Sequence, residues 1–241
     1  MTEQWGTFWG VGVGPGDAEW LTLKGLRVLR SVSVVAMPQG RDGKPGMAYR
    51  IVSEFLSPNQ QCLPLHLPFV LDEAALQQAW VAAAQTVLPY LKSGQDVAFI
   101  TEGDLSFYST FTYLAKFLHQ TEPNITIRPI PGICSPLAAA AALHTPLAIA
   151  SEKVAILPAL YTVDDFTHAL DWAEVVVLMK VASVFSTVWQ VLADRQLLDH
   201  ASLVEWVGGE QQTLFPTLHD LRDYTPPYFS ILIVRRLPYG F

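Results

Sequence analysis

The feature that most constrains this chain is a glycine-rich turn near its start. The apolar run that begins at Phe8 ends in four glycines at every second position: Gly10, Gly12, Gly14 and Gly16. Glycine adopts backbone angles that other residues avoid, and it lets a ligand approach the main chain closely. Behind this turn, apolar and basic residues mix over 21–30 in a way typical of a helix. The pattern predicts a strand, a glycine-rich loop and a helix. This arrangement forms the first part of many nucleotide-binding sites.

The turn does not fit the two familiar phosphate-binding motifs. A dinucleotide fingerprint needs a third glycine where this chain has Pro15 or Asp17, and an acidic residue where the second predicted strand ends in Pro38-Gln39. No Gly-Lys-Ser or Gly-Lys-Thr closes the turn, and the carboxylate of Asp17 would repel a phosphate. The sequence therefore indicates a ligand without phosphates, with a positively charged ligand as one option. A strand-to-helix turn without any ligand remains the alternative.

Composition narrows the class of protein. The 241 residues are 51% hydrophobic and carry a net charge of −7, which argues against nucleic-acid or membrane-surface binding. The start is not the basic segment of a signal peptide, and no apolar run reaches bilayer length. Cys62 and Cys134 have no pattern around them, so we expect reduced thiols in a cytoplasmic protein. Cys134 lies in a glycine turn, which leaves a nucleophile conceivable.

Strands and helices alternate along the chain. Apolar runs predict strands at 8–12, 32–37, 61–67, 97–101, 125–130, 153–157, 175–179, 203–207 and 228–234. Helices are predicted at 48–56, 73–91, 164–172, 183–193 and 218–221, and one that starts at Ser135-Pro136. This order is typical of the α/β class, with mostly parallel or mixed sheets. We expect two α/β domains, residues 1–133 and 134–241.

Three predicted strands of the first domain end in glycine turns. The first turn is the one described above, the second contains Gly103-Asp104, and the third contains Pro131-Gly132. If the strands are parallel, all three turns lie at one sheet edge, which is where ligands bind in open α/β sheets. Asp104 is alternatively the cap of a helix, for which the sequence predicts Phe107 and Phe111 on one face.

These motifs resemble those of one family. The segment Gly10-Val11-Gly12-Val13-Gly14-Pro15-Gly16-Asp17 is similar to the N-terminal signature of the class III S-adenosylmethionine-dependent tetrapyrrole methyltransferases. Thr101-Glu102-Gly103-Asp104 resembles their Gly-Asp-Pro loop, and Ile130-Pro131-Gly132-Ile133-Cys134-Ser135 their third turn. Later segments, 155–159, 177–181 and 227–230, resemble the branch that methylates carbon 20 of precorrin-2. The resemblance covers residues 7–235, although Ala18 and Leu105 stand where the family often has proline.

The resemblance implies a tetrapyrrole methylase fold, with S-adenosylmethionine held in an interdomain cleft of each subunit of a homodimer. It also implies the cofactor contacts, which are Pro15, Glu102, Gly103, Asp104, Phe107, Cys134, Ser135, Met179, Gly208 and Gly209. The activity implied is methyl transfer to carbon 20 of precorrin-2 in cobalamin biosynthesis. No residue stands out as a base, so none is named as catalytic. On the residues alone, Met179 is interpreted as a core side chain and Lys180 as a solvated cation, and only the resemblance makes Met179 a cofactor contact.

Several alternatives remain open for the substrate. The cobalt-loaded form, cobalt-factor II, is the nearest, and precorrin-2 is favoured because a reduced macrocycle has the more nucleophilic bridge carbon. Methylation at another tetrapyrrole carbon or on a protein is a second, and a non-catalytic cofactor-binding or tetrapyrrole-binding protein is a third. Arg41 and Lys44 are candidates for contacts with the substrate carboxylates, or else belong to a solvated loop. The six histidines show no helical ligand spacing, so we expect no protein-bound metal.

Overall fold

The chain forms two compact units that divide between Cys134 and Ser135. The computed structural model describes residues 5–40, 43–68, 72–158 and 163–236. Each unit consists of one five-stranded sheet with helices, so the predicted α/β class with two domains of parallel and mixed sheets is confirmed. Among the described residues, no helix is both long enough and apolar enough to cross a membrane.

The first unit contains a fully parallel sheet. Its strands are β1 (Thr7–Gly12), β2 (Val34–Pro38), β3 (Gln61–Leu65), β4 (Val97–Thr101) and β5 (Thr126–Ile130), in the order β3-β2-β4-β1-β5. Its helices are α1 (Leu23–Ser31), α2 (Met47–Val52), α3 (Glu73–Lys92) and α4 (Phe111–Thr121). Every adjacent pair of strands is parallel. The carboxyl ends of β1, β4 and β5 therefore lie at one edge of the sheet, as the sequence predicts.

Both faces of this sheet are packed, as a parallel sheet with helical crossovers requires. On one face, Phe8 lies against Phe99 and Phe111, with ring centroids 6.3 and 5.8 Å from that of Phe8. On the other face, Val11 and Ile100 belong to a second apolar cluster together with residues of α1 and α2. Because β1 and β4 are central and buried on both sides, their ends are held firmly where the glycine loops begin.

The second unit contains a mixed sheet. Its strands are β6 (Val154–Pro158), β7 (Val175–Met179), β8 (Ala201–Glu205), β9 (Thr213–Phe215) and β10 (Ser230–Arg235), in the order β6-β7-β10-β8-β9. Its helices are α5 (Ser135–Ala142), α6 (Asp164–Trp172) and α7 (Phe185–Asp194). Strands β6 and β7 are parallel, whereas β10 runs antiparallel to both β7 and β8. The fully buried β10 is the final apolar strand that the sequence predicts.

The structure corrects two local predictions. The helix predicted to include Phe107 begins only at Phe111, because the preceding residues form a turn closed by Asp104 and because Tyr108 has a left-handed backbone (φ 53°). Strand β9 was not predicted, since three residues are too few to show a periodic pattern.

Candidate functional site

Backbone hydrogen bonds join the loops that follow β1 and β4. The N–H of Gly14 donates to the Gly103 carbonyl oxygen at 3.2 Å, and the N–H of Gly103 donates to the Gly14 carbonyl oxygen at 2.8 Å. Both glycines have a positive φ, of 81° and 71°, which side-chain-bearing residues rarely adopt. The two loops are therefore fixed to each other by main-chain atoms alone.

The loop after β5 packs against the same glycines. A methyl group on Gly12 would lie 2.7 Å from both the Gly103 oxygen and the Gly132 nitrogen. A methyl group on Gly132 would lie 2.3 Å from the Gly103 oxygen and 2.7 Å from the Gly12 carbonyl carbon. These separations are too short for any Cβ, so glycine at 12 and 132 is a steric requirement. The three predicted turns thus converge.

Asp104 connects the second and third loops. One carboxylate oxygen accepts the N–H of Gly132 at 2.8 Å, and the other accepts the backbone N–H of Ser106 at 2.8 Å and the Ser106 hydroxyl. Burial raises the pKa of this carboxyl, but the hydrogen bonds from Ser106, Gly132 and Leu105 outweigh it and lower the pKa overall. Asp104 is therefore an anion that fixes two loops rather than the cap of a helix.

The first loop is closed by its own short helix. The carboxylate of Asp17 accepts the N–H of Glu19 at 2.8 Å and caps a 3-10 helix at Ala18–Trp20. Pro15 is buried in the same loop. Thr22 then caps α1 by accepting the N–H of Gly25 at 3.0 Å. No lysine or arginine lies within residues 10–20, so the loop presents backbone and a carboxylate but no basic side chain.

The other predicted residues of the first unit lie on these loops. Glu102 is half-buried beside Gly103, and Phe107 is half-buried with its ring centroid 4.7 Å from that of Tyr108. Cys134 is a half-buried free thiol just after Gly132. Ser135, the next residue along the chain, is already part of the second unit and is the first residue of α5.

The remaining predicted cofactor residues lie on the second unit. Met179 ends β7 and is half-buried, and Lys180 follows it in the left-handed conformation (φ 58°). Gly208 and Gly209 form a turn after β8, where the N–H of Gly208 donates to the Gln212 side-chain oxygen at 2.8 Å. Because β7 and β8 both run antiparallel to β10, these two positions lie at one edge of the second sheet.

The candidate substrate cations follow β2. Lys44 is exposed in the turn after Pro38, where its carbonyl oxygen accepts the N–H of Gly40 at 2.9 Å. Since β2 is parallel to β4, this turn lies at the same edge as the glycine loops. Arg41 lies outside the described residues. Within 5–40, 43–68, 72–158 and 163–236, no group of His, Cys, Asp or Glu has the arrangement of a metal site.

The groups on the converged loops suit a ligand that is positively charged and carries no phosphate. The loops meet through main-chain atoms, because the backbone of neighbouring loops leaves no room for a Cβ at Gly12 or Gly132. Carboxylates of Asp104 and Glu102 lie on the second loop, whereas a phosphate cradle would need basic side chains. The residues present therefore fit S-adenosylmethionine, which carries a sulfonium and no phosphate.

Sequence reasoning did not assign a role to three residues that shape this edge. Gly12 and Gly132 allow the loops to pack closely against each other. Their position at the ends of apolar strands was the sequence signal that could have indicated this role. Tyr108 has a positive φ and an exposed ring, and no sequence pattern announces that combination for a tyrosine.

Comparison with known proteins places the chain in a family. The family profile of the Tetrapyrrole (Corrin/Porphyrin) Methylases matches residues 7–222. The chain is 28% identical over 232 residues to the cobalt-precorrin-2 C(20)-methyltransferase of Salmonella typhimurium, covering 96% of this chain and 97% of that protein. It is 32% identical over 239 residues to the cobalamin biosynthesis protein CobIJ of Mycobacterium tuberculosis, covering 95% of this chain. The chain spans only 46% of CobIJ, about half of that relative's length.

A solved structure shows the same fold. The uroporphyrin-III C-methyl transferase of Thermus thermophilus, complexed with S-adenosyl homocysteine, superimposes with a TM-score of 0.68 at 16% identity. The match covers 95% of this chain and 92% of that one. Together with the three converging glycine loops, the profile match over residues 7–222 shows that this chain belongs to the tetrapyrrole (corrin/porphyrin) methylases.

Proposed function

We propose that this protein transfers a methyl group from S-adenosylmethionine to carbon 20 of precorrin-2, in cobalamin biosynthesis. The observation that carries the proposal is the convergence of the loops after β1, β4 and β5 at one edge of the first sheet. The similarity to a cobalt-precorrin-2 C(20)-methyltransferase over 97% of that protein supports the choice of reaction. The complex of a related fold with S-adenosyl homocysteine supports the choice of methyl donor.

The residues proposed to contact the methyl donor are those that the family resemblance implies. They are Pro15, Glu102, Gly103, Asp104, Phe107, Cys134, Ser135, Met179, Gly208 and Gly209. Within this set, the N–H and the carbonyl of Gly103 bond to Gly14 and so hold the second loop against the first. Asp104 holds the second and third loops in register and adds negative charge near a cationic ligand.

S-adenosylmethionine supplies a methyl group on a positively charged sulfur, and its departing thioether is neutral. The protein therefore needs no acid to assist the leaving group. Its contribution is to bind, align and exclude water around an electron-rich carbon. Alignment of two reactants at close range contributes about 7–11 kcal/mol in model systems, and preorganised loops serve that purpose.

The acceptor carries many carboxylates, whereas the protein has a net charge of −7. Lys44 and Arg41 are proposed to supply local positive charge for these groups. We favour metal-free precorrin-2 over its cobalt-loaded form because its reduced macrocycle has the more nucleophilic bridge carbon. Any cobalt then belongs to the substrate, and we propose that the protein itself binds no metal. The subunits are proposed to form homodimers in the cytoplasm.

Calorimetry with S-adenosylmethionine, NAD and ATP tests the cofactor. We expect binding of S-adenosylmethionine alone, because the loops lack phosphate-binding side chains; tight NAD binding without a signal from S-adenosylmethionine would overturn the proposal. An anaerobic assay with precorrin-2 and cobalt-factor II side by side, read by mass, tests the reaction. If only the cobalt form yields product, the proposed substrate is wrong but the proposed reaction stands. If the enzyme still forms product after treatment with a chelator, this supports catalysis without a protein-bound metal.

The same assay separates the other functions. A product methylated at another carbon would identify a different member of the family. Cofactor and tetrapyrrole binding without any product would identify a non-catalytic binding protein.

A further inference from the structure

Tyr108 is the one non-glycine residue with a positive φ among the described residues of the first unit. Its φ is 53°, in a region that a bulky residue rarely adopts, and its side chain is 55% exposed. Strained backbone of this kind persists only where the surrounding structure imposes it, and it concentrates at functional sites. The residue lies on the loop that follows β4, four residues after Asp104. The strain therefore falls at the sheet edge where the three loops converge.

The chain is anchored on both sides of Tyr108. Before it, Asp104 accepts hydrogen bonds from Ser106, and the Asp104 carbonyl accepts the N–H of Phe107 at 3.3 Å. After it, the Ser109 hydroxyl accepts the N–H of Phe111 at 3.1 Å and contacts the Thr101 hydroxyl at 3.4 Å. Because the backbone is fixed on both sides, the chain changes direction at Tyr108, and the Tyr108 ring is exposed.

The ring of Tyr108 packs against the ring of the preceding residue. The Phe107 ring lies edge-on to that of Tyr108, with centroids 4.7 Å apart and an interplanar angle of 65°. Ile133, on the third loop, is also an exposed apolar side chain, and its carbonyl oxygen lies 4.0 Å from the position of a Cβ on Gly103. Tyr108 on the second loop and Ile133 on the third are therefore exposed apolar side chains of the converged loops, beside the carboxylates of Glu102 and Asp104.

We propose that Tyr108 is a specificity-determining residue that packs its ring against a face of the tetrapyrrole substrate. This inference rests on the proposed function. A tetrapyrrole has a broad, conjugated face, and an aromatic ring fits it better than any other side chain does. A carboxylate-rich rim would repel the acidic substrate, whereas a neutral aromatic ring accepts the macrocycle without that cost. The strain at φ 53° is retained because it presents the ring at this edge.

The test uses variants that keep the left-handed backbone but change the ring. Tyr108→Gly and Tyr108→Asn both tolerate a positive φ, and Tyr108→Phe keeps the ring without its hydroxyl. We measure precorrin-2 binding by anaerobic absorbance titration in the presence of S-adenosylhomocysteine, steady-state KM and kcat, and thermal unfolding. For Tyr108→Gly and Tyr108→Asn we expect the dissociation constant and KM for precorrin-2 to rise about three- to tenfold. S-adenosylhomocysteine affinity should stay within about twofold of the wild type, and Tyr108→Phe should match the wild type throughout.

Two controls separate ring contact from loop damage. Gln196→Gly relieves a similar positive φ of 57° beyond α7, and Tyr113→Ala removes another exposed tyrosine of the first unit. Neither should change precorrin-2 affinity. Since glycine relieves the strain, Tyr108→Gly should unfold at the wild-type temperature or above it, so a weaker substrate affinity cannot come from unfolding.

Wild-type precorrin-2 affinity in Tyr108→Gly and Tyr108→Asn would overturn the inference. So would an equal loss of S-adenosylhomocysteine affinity, because it would show that the residue only shapes the loops. If the wild-type protein binds precorrin-2 but yields no methylated product, the proposed function fails while the binding titration still decides the role of Tyr108. If the wild-type protein does not bind precorrin-2, both fail.

Discussion

The carboxylate of Asp104 accepts the backbone N–H of Gly132 at 2.8 Å, across a separation of 28 residues. This hydrogen bond joins the loop after β4 to the loop after β5. Gly132 in turn lies so close to Gly12 and Gly103 that no side chain fits among them. The geometry of the candidate cofactor site therefore depends on one half-buried carboxylate and on glycines that belong to three separate loops.

Replacing Gly132 with alanine should disrupt this convergence. The new methyl group would lie 2.3 Å from the Gly103 oxygen, so one of the loops must move. We expect a loss of about 1–3 kcal/mol in the free energy of unfolding, measured by urea denaturation, and a weaker calorimetric signal for S-adenosylmethionine. Gly43→Asn, in the turn after β2, is the control, because a Cβ there would meet only the Gln39 side-chain nitrogen, at 3.6 Å, and asparagine tolerates a positive φ. Equal stability of Gly132→Ala and wild type would show that the loops are not tightly packed.

Asp104→Ala should weaken both the fold and cofactor binding. It removes the acceptor for the N–H groups of Gly132 and Ser106, which we expect to cost about 1–3 kcal/mol in unfolding free energy and a similar amount in S-adenosylmethionine affinity. Asp17→Ala, which removes the cap of a short 3-10 helix, should cost less, about 0.5–1 kcal/mol.

The effect of Asp104→Ala should also depend on pH. Hydrogen bonds lower the pKa of this carboxyl in the folded protein, so its stabilising contribution is present above the unfolded value of about 3.9 and is lost as the pH falls through the folded value. The stability difference between wild type and Asp104→Ala should therefore shrink in acid, as measured by urea unfolding at several pH values. A difference that stays constant down to the folded pKa would contradict the assigned anion.

Glu205 should show the opposite pH dependence. Its side chain is 5% exposed, and the hydroxyl of Tyr224 donates to one of its carboxylate oxygens at 3.1 Å. Burial raises its pKa, so its contribution to stability is complete below the unfolded value of about 4.3 and is lost as the pH rises through the folded value. Glu205→Gln cannot ionise. We therefore expect Glu205→Gln to gain stability relative to wild type as the pH rises, measured by thermal unfolding.

The exposed Glu210 provides the matched control for that experiment. Glu210→Gln should follow the wild-type pH profile of unfolding. A Glu205→Gln profile parallel to the wild type over the whole range would mean that Glu205 is ionised in the folded protein at no cost.

The buried ion pair of the second unit should be essential for its stability. Arg235 is 8% exposed and places one guanidinium nitrogen 2.6 Å from each carboxylate oxygen of Glu152. Glu152→Gln removes the opposing charge, and we expect it to cost about 3–5 kcal/mol in unfolding free energy. The exposed pair Arg195–Asp171 is the comparison, since Asp171→Asn should cost less than about 1 kcal/mol. Similar losses in the two variants would refute the distinction.

Charge at the edge of the first sheet should affect the substrate but not the cofactor. Lys44 is exposed in the turn after β2, so Lys44→Glu should raise the KM for precorrin-2 by roughly two- to fivefold and leave S-adenosylmethionine affinity unchanged. Lys92→Glu, at the end of α3, makes the same change in net charge away from that edge and should leave KM unaltered. An unchanged KM in Lys44→Glu would mean that Lys44 is a solvated loop residue that does not contact the substrate.

The sequence alone determined the order of strands and helices, the glycine loops, and the family. Those features are local: apolar periodicity marks β1 or α3, and a glycine at every second position marks a loop whatever the rest of the chain does. It also indicated that the turns containing Gly103 and Gly132 would lie at the same sheet edge as the first loop if the strands were parallel. It did not indicate that Asp104 bonds Gly132, that Phe107 lies outside α4, or that Tyr108 is strained.

Only the tertiary structure decided those points, because each depends on atoms that are distant in sequence. The register of β1 between β4 and β5 sets how closely Gly12 approaches Gly132, and that distance leaves room for main chain but not for a Cβ. The same closeness places the Gly132 N–H within hydrogen-bond distance of the Asp104 carboxylate. The other carboxylate oxygen accepts the N–H of Ser106 and stabilises the turn that precedes α4. Side-chain pattern reports which residues avoid water, whereas the partner of each polar group is fixed only when the strands are in register.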